Sequence, residues 1–442
     1  MQYKEIPTVS VFRFLRNTNQ ILRNPLPFHH INFEKYGDIF QIHLGFGKKI
    51  IFCRDAGFAE YVLQKKQKNY IKSTIQTRDL AKYVGKGLLT SNGEHWARQR
   101  KLIQPAFHKK QLAGLLDSIQ AAINTELQKI QPAVEIDVFP IFNDLAFQTV
   151  VKSLFSSAVG EKEIKRLQHI TEAAQKMLVK ELRQPYKRWW FYVSGKIGKH
   201  LGLTGEAREI LRGLIRDRKD SSQKHGDLLD MLLDARYEDG EPMEEEQLID
   251  EILILFTAGH ETTSNALSFT CELLARNPES QEKILEEITS AERMTENLFG
   301  FLKACPYTRQ VIEEAMRLYP PAYFIDRNNI EEDEYNAMHF PPKSDLLFSI
   351  FEIHRHKDYW KDPETFDPDR FKEPGSHSSH YFPFGAGPRK CIGSNFAMYE
   401  MILTITGIVR KYKIIPTKDK IEILPLITLK PKNAILVFEE RE

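Results

Sequence analysis

A chain of 442 residues with 42% hydrophobic and 28% charged content can bury a substantial core, which excludes a disordered or fibrous protein. A formal charge of +2 excludes whole-chain electrostatic affinity for nucleic acid. The four cysteines, Cys53, Cys271, Cys305 and Cys391, have no regular spacing, which points to a reducing compartment and away from a disulfide framework.

In chain order, Met1 to Ser10 lacks a basic stretch followed by an apolar core, so a secretory leader is not expected. No apolar run approaches the roughly 18 residues that a spanning helix needs, and the expected location is the cytoplasm. Residues 6–22 could touch a membrane surface, but a helix packed on its own core is the preferred reading. Ile39 to Leu44 and Lys49 to Cys53 are β-branched and aromatic runs separated by Gly45-Phe46-Gly47, a hairpin pattern. Asp55 is placed to cap a short helix through Gln64. Lys65 to Thr90 reads as a long polar connection.

Helices then dominate by apolar periodicity: Glu94 to Gln104, Lys110 to Ile130, Asp144 to Phe155 and Glu161 to Val179. Pro185 to Gly205 is aromatic and basic. Its cluster of Trp189, Trp190, Phe191 and Tyr192 suits a substrate entrance or, more commonly for aromatics, a buried interface. Glu244 to Arg276 reads as a helix of about nine turns ended by Asn277-Pro278. Helices at Glu279 to Ala291 and Tyr307 to Leu318 follow, then short strands and a Pro/Asp-rich coil from Asp358 to Phe371. Cys391 to Tyr412 reads as a helix and Ile421 to Phe438 as strand pairs. No repeat, linker or charge block divides the chain. The expectation is one domain over residues 1–442, mainly α with a small β-rich subdomain.

Chemistry concentrates at four places. In Phe-Gly-Ala-Gly-Pro-Arg-Lys-Cys-Ile-Gly, from Phe384 to Gly393, a lone cysteine sits among glycines with no second cysteine or ligand-spaced histidine nearby. That disfavours zinc and a disulfide and suits a haem iron held by one thiolate. Gly385, Gly387 and Gly393 would let backbone approach a flat ligand, and Arg389 offers a fork for a carboxylate. Ala258-Gly259-His260-Glu261-Thr262-Thr263 places a glycine and two threonines inside the long helix, a local conflict of the kind found at functional sites. A zinc-protease helix is excluded because Ser264 stands where the second histidine is needed. Glu314-x-x-Arg317 is followed by Arg370 in the downstream coil. Trp96 and Arg100 share a helix face at i,i+4.

Phe384-x-x-Gly387-x-Arg389-x-Cys391-x-Gly393 resembles the haem-binding signature of cytochrome P-450 monooxygenases, and the other three motifs follow in that family's order. The resemblance implies the cytochrome P-450 fold, haem b with Cys391 as axial ligand, and dioxygen as co-substrate. It implies that Gly259 belongs to a distorted helix turn over the haem, that Thr262 hydrogen-bonds dioxygen or its water, and that Glu261 relays protons from solvent. Trp96, Arg100, Arg389 and Arg327 would bind the propionates, and Phe384 would line the cofactor. Glu314, Arg317 and Arg370 would form a buried network fixing the cysteine segment.

With no flavin, nicotinamide or Cys-rich segment in the sequence, electrons are expected from a separate ferredoxin and ferredoxin reductase, docking on Arg98, Lys101, Lys109, Lys110 and Lys390. A monomer is expected. The implied reaction inserts one oxygen atom into a C–H bond. Candidate substrates are a fatty acid held by Arg78, or a methyl ether such as an O-methylated sugar that loses formaldehyde. The alternative is a peroxide-dependent enzyme or a haem-binding sensor of the same fold, against which the Glu261-Thr262 pair speaks.

Overall fold

A computed structural model of the chain describes residues 3–45, 48–156, 159–221 and 223–441. The chain divides into two compact units. One comprises Met1–Ser73, Gln310–Cys391 and Ile421–Lys432; the other comprises Thr74–Arg309, Ile392–Lys420 and Asn433–Glu442.

The first unit is built on a six-stranded sheet. Its strand order is Thr8–Val9, Ile39–Gly45, Lys48–Cys53, Asp345–Ser349, Phe324–Asn329 and Tyr70–Ile71. The hairpin expected from residues 39–53 forms with Phe40 opposite Phe52, their rings stacked 5.2 Å apart, although its Phe46-Gly47 tip lies outside the described residues. Alternation of apolar residues on these strands buries Ile51, Cys53, Leu346 and Phe348 on one face, where Phe58, Val62 and Leu63 cover them. Asp55 caps the Ala56–Glu60 helix by accepting from the Phe58 amide at 2.8 Å, as expected. The short helices Val11–Arg16 and Thr18–Arg23 bury none of their residues, and Phe12 and Leu15 face solvent. The expectation of a helix packed on its own core over residues 6–22 is therefore corrected: Val9, which precedes these helices, is buried in the Phe28–Phe33–Phe40 cluster, and from the helices Phe14 and Ile21 lean on it.

The second unit is helical. Its centre is the Glu245–Arg276 helix, packed along Val138–Phe155 with Phe147 5.3 Å from Phe256 and 5.4 Å from His260. The long helix is buried from Thr263 to Ala275, polar residues included, with the Ser268 and Thr270 hydroxyls donating to the carbonyls of Ser264 and Ala266. The same unit holds a three-stranded sheet in the order Tyr412–Pro416, Ile435–Glu440 and Glu135–Asp137.

Several boundaries differ from expectation. Residues 65–90 are not a structureless connection: they contain the Tyr70–Ile71 strand, a π-helical turn at Ile75–Leu80 and a helical turn at Ala81–Val84. Elements this short leave no periodicity to read. Lys110 to Ile130 is two helices, Lys109–Ala113 and Leu116–Leu127, interrupted at Gly114-Leu115. The helix expected from Cys391 begins at Ser394, which leaves the cysteine in a loop. The Lys196–Asp220 helix was not foreseen, because its glycines dilute the pattern.

Candidate active site

Cys391 differs from the other cysteines. It is exposed, whereas Cys53, Cys271 and Cys305 are buried, and burial pushes the Cys305 thiol up to about 12. Only a thiol that reaches out of the core can serve an external partner. The loop that presents it is a succession of tight turns. The Gly385 amide donates to Phe382 O at 3.0 Å, the Lys390 amide to Gly387 O at 3.0 Å, and the Cys391 amide to Phe384 O at 2.9 Å. Phe384 thus contributes its carbonyl, and its side chain is half-buried.

Gly387 has a left-handed φ of +66°, and a Cβ there would lie 2.0 Å from the carbonyl oxygen of Leu63. The close approach expected of this glycine exists, but toward the chain's own 61–65 turn. Gly393 has an ordinary φ of −85° and no neighbour within 4 Å of a built Cβ.

The expected network behind the loop is present. Arg317 and Glu314 are both fully buried and paired in a fork, with Nε to Oε2 at 2.7 Å and Nη2 to Oε1 at 2.8 Å. Arg370 Nε lies 3.5 Å from Glu314 Oε1, and the Asp367 amide donates to the same oxygen at 2.9 Å. The remaining Arg317 donors satisfy the carbonyls of His354, Pro363 and Thr365. A buried ion pair is tolerable only when its spare donors and acceptors are used in this way.

Sequence reasoning missed how the network reaches the loop. His354 accepts from Arg317 on its backbone carbonyl, and its ring Nε2 accepts from the Phe382 amide at 2.9 Å. An accepting Nε2 requires the proton on Nδ1 and hence a neutral ring. Burial, with Arg317 and Arg355 nearby, drives its pKa well below the ordinary histidine value. The chain Glu314–Arg317–His354–Phe382 therefore ends nine residues before Cys391. A histidine two residues before another in a coil carries no motif that could have flagged it.

A second missed residue is Lys72. The antiparallel register of Tyr70 with Asn329 and Ile71 with Asn328 brings Lys72 opposite Arg327. Ser73 hydrogen-bonds Asp326 on the same strand pair. Burial, then Arg327 and Arg389, lowers the Lys72 pKa to about 7, while Asp326 and Cys391 oppose the shift. Arg389 is lowered to about 10, mainly by burial and then by Arg327, and Arg327 is lowered by burial. Lys72 thus lies near Arg327, Arg389, Asp326 and Cys391, and Arg389 lies near Arg327. Cations gathered this closely suit an anionic ligand.

A haem carries two carboxylates and an iron that accepts a thiolate. An exposed cysteine near these cations matches that donor set, so the residues present fit the group.

In the helical unit, Trp96 and Arg100 occupy one face of the Gly93–Ile103 helix, both half-buried, with Arg100 Nε donating to Gln104 Oε1 at 3.0 Å. The Ala258–Thr263 turn is regular α-helix, which corrects the expected distortion. The hydroxyls are absorbed by the helix itself: Thr262 Oγ1 donates to Ala258 O at 2.8 Å and Thr263 Oγ1 to Gly259 O at 3.0 Å. Leu255, Ala258, Glu261 and Thr262 interrupt the burial of the helix and present one accessible stripe. His260 points the other way, into the core, with Nδ1 2.6 Å from Phe256 O. A Cβ at Gly259 would meet Val150 Cγ2 at 3.1 Å, so this glycine makes room for the neighbouring helix.

Two of the residues expected to dock a redox partner are already engaged. Arg98 pairs with Asp239 at 2.7 Å and lies over the Tyr237 ring, and Lys101 pairs with Glu238. Lys109, Lys110 and Lys390 are exposed. Arg78 is also engaged, donating to Asp79 from Nε at 3.0 Å and Nη2 at 3.2 Å.

The cytochrome P450 family model matches residues 7–438. The chain belongs to the cytochrome P450 family. Among relatives, cyclooctat-9-en-7-ol 5-monooxygenase of Streptomyces melanosporofaciens is 27% identical, over 91% of this chain and 88% of its own. Cytochrome P450 4A10 of Rattus norvegicus is 30% identical, over 82% and 76%. The solved structure of a retinoic acid-bound cyanobacterial CYP120A1 superposes with a TM-score of 0.82 at 27% identity, covering 96% of each chain. The fold is thus the P450 fold, mainly helical with small sheets, and the protein is a P450 monooxygenase. Membership in the P450 family implies a haem-thiolate cofactor and electron-supplying partners. No helix among the described residues is long and apolar enough to cross a membrane.

Proposed function

We propose that Cys391 would supply the thiolate that holds the iron of a haem b, and that Arg389, Arg327 and Lys72 would bind its propionates, with Trp96 and Arg100 as further contacts. The observation that carries this reading is the exposed cysteine in the same compact unit as Lys72, Arg327 and Arg389, three cations whose pKa values are all lowered chiefly by burial. When bound, the haem supplies dioxygen activation, with electron density donated by the thiolate.

The remaining work falls to side chains of the long helix. Overall, R–H, O2, two electrons and two protons yield R–OH and water, so protons must be delivered to the oxygen that leaves as water. Thr262 and Glu261 are assigned that delivery. With its proton committed to Ala258 O, the Thr262 hydroxyl first acts as an acceptor, and it donates only after releasing that carbonyl. Glu261, on the same accessible stripe, resupplies protons from solvent.

For substrate, we favour a largely apolar skeleton bearing one polar group. The names of the relatives support this: one acts on cyclooctat-9-en-7-ol and another structure holds retinoic acid. A fatty acid belongs to the same class, but Arg78 would have to surrender Asp79 to hold its carboxylate. Electrons are assigned to a ferredoxin and its reductase as separate chains. The Glu261-Thr262 pair supports this over a peroxide-dependent route, which needs no such relay.

Titration with a panel of fatty acids, terpenoids, aromatics and methylated sugars tests the substrate reading through the low-to-high spin shift. Fatty acids or terpenoids should give the largest shift; a response confined to methylated sugars would contradict it. Thr262→Ala should retain the haem spectrum and divert electrons to hydrogen peroxide. Unchanged product per electron in that variant would remove Thr262 from the delivery path.

A further inference from the structure

Consecutive carbonyls of the long helix, from Phe256 to Gly259, each accept from a side chain. In a regular helix each of these oxygens already accepts from the amide four residues on. Three of the extra donors belong to the helix itself. His260 Nδ1 reaches Phe256 O at 2.6 Å, Thr262 Oγ1 reaches Ala258 O at 2.8 Å, and Thr263 Oγ1 reaches Gly259 O at 3.0 Å. The donor to Thr257 comes from another helix: Gln175 Nε2, on Glu161–Arg183, donates to Thr257 O at 2.9 Å. Side-chain donors of this kind compete with the backbone ladder and leave a helix readier to bend.

The helix that carries Gln175 is steadied close to that residue. Asn143 Nδ2, on the Val138–Phe155 helix, donates to Glu172 Oε1 at 2.9 Å, and Gln168 Nε2 donates to Asp144 Oδ1 at 2.8 Å. Glu172 lies about one turn before Gln175, so these contacts aim the Gln175 amide. Beyond the helix the aromatic cluster is turned outward. Trp189, Trp190 and Tyr192 are exposed and Phe191 is buried, which corrects the expectation of a buried aromatic interface.

Thr257 O is the oxygen that the Glu261 amide takes in the helical ladder. Gln175 and the backbone of Glu261 therefore share one acceptor. The next carbonyl along, Ala258 O, is the one that Thr262 must release before it can donate elsewhere. We propose that Gln175 is a positioning residue for proton delivery: by sharing Thr257 O with the Glu261 amide, it lets the Ala258–Thr263 turn yield when Thr262 leaves Ala258 O. This inference rests on the assignment of Glu261 and Thr262 to proton delivery.

Gln175→Met removes the donor and keeps the length of the side chain. Amide hydrogen exchange of the haem-loaded protein, read by mass spectrometry over residues 256–263, reports the sharing without any turnover. The Glu261 amide then has Thr257 O to itself, so exchange in this turn should slow, by about fivefold for one ordinary hydrogen bond. A side chain that merely braced the helix would have the opposite effect, and its loss would speed exchange. With a substrate that gives a spin shift, product per electron should fall about fivefold and peroxide should rise, while substrate affinity stays within about twofold. Gln175→Lys, which restores a donor, should return both readouts toward the parent. An unchanged haem spectrum shows that each variant is folded. Faster or unchanged exchange in Gln175→Met would overturn the proposal, as would full coupling of electrons to product. Thr262→Ala, measured alongside, separates the two claims. If it uncouples electrons and Gln175→Met does not, the role of Gln175 fails and the delivery reading stands. If Thr262→Ala stays coupled, the delivery reading falls and the role of Gln175 falls with it.

Discussion

Gly387 and Gly259 lie in the two motifs richest in chemistry, and the backbone asks different things of them. Gly387 holds a left-handed φ, and the carbonyl of Leu63 occupies the place of its Cβ. Gly259 is an ordinary helical residue whose missing Cβ faces a methyl group of Val150. The Cys391 loop is thus fixed by main chain crossing main chain, backed by the Glu314–Arg317–His354 chain. The Ala258–Thr263 turn is fixed by side-chain hydroxyls folded back on their own helix. The loop is held by contacts distant in the sequence, whereas the Thr262 and Thr263 hydroxyls are each committed to a carbonyl one turn back in the same helix.

The contrast is broken most severely at Gly387. Gly387→Ala should cost at least about 3 kcal/mol, since the left-handed conformation alone costs roughly 1–2 kcal/mol and the 61–65 turn must also move. Denaturant unfolding and haem retention both measure it. Arg317→Met leaves Glu314 buried and uncompensated. A loss of about 3–5 kcal/mol, with failure to retain haem, is expected.

His354 gives a smaller effect with a sign that can be checked. Its folded pKa lies well below the ordinary value of 6.5, so below that pH the unfolded chain binds the extra proton and the folded one does not. Stability therefore falls as pH drops through the ordinary histidine range. His354→Gln, which keeps an acceptor for the Phe382 amide, should flatten that part of the pH–stability curve, read by urea unfolding between about pH 7 and pH 5. An unchanged slope would remove His354 as its source. Gly259→Ala should do least. A gain of about 1 kcal/mol in helix propensity offsets crowding against Val150, so the net change should stay within about 1 kcal/mol.

These contrasts also show what the sequence could and could not convey. The Glu314-Arg317 pair was legible because i,i+3 spacing puts both on one helix face, and Cys391 because it is a lone cysteine among glycines, while Arg370 and Arg389 were reached only through the resemblance of their motifs. Lys72 was not, because it reaches Arg327 only through a two-residue strand pairing across more than 250 positions of sequence. His354 was hidden for the same reason: its partners, Arg317 and Phe382, are distant in the chain. Gly387 was recognised as a close-approach residue but assigned to a ligand, since composition cannot say which surface approaches. The long helix was read to within one residue at its start because its apolar period is sustained. The 65–90 region failed because strand, π-turn and helix there are each too short to repeat.

The central claim is that Cys391, presented by this loop, is the thiolate that holds a haem iron. The most direct test is the carbon monoxide difference spectrum of the dithionite-reduced protein and of Cys391→Ala. The parent should show the band diagnostic of thiolate-ligated ferrous haem, and the variant should lose it even when reconstituted with excess haem. A parent without that band, or a variant that keeps it, would contradict the account.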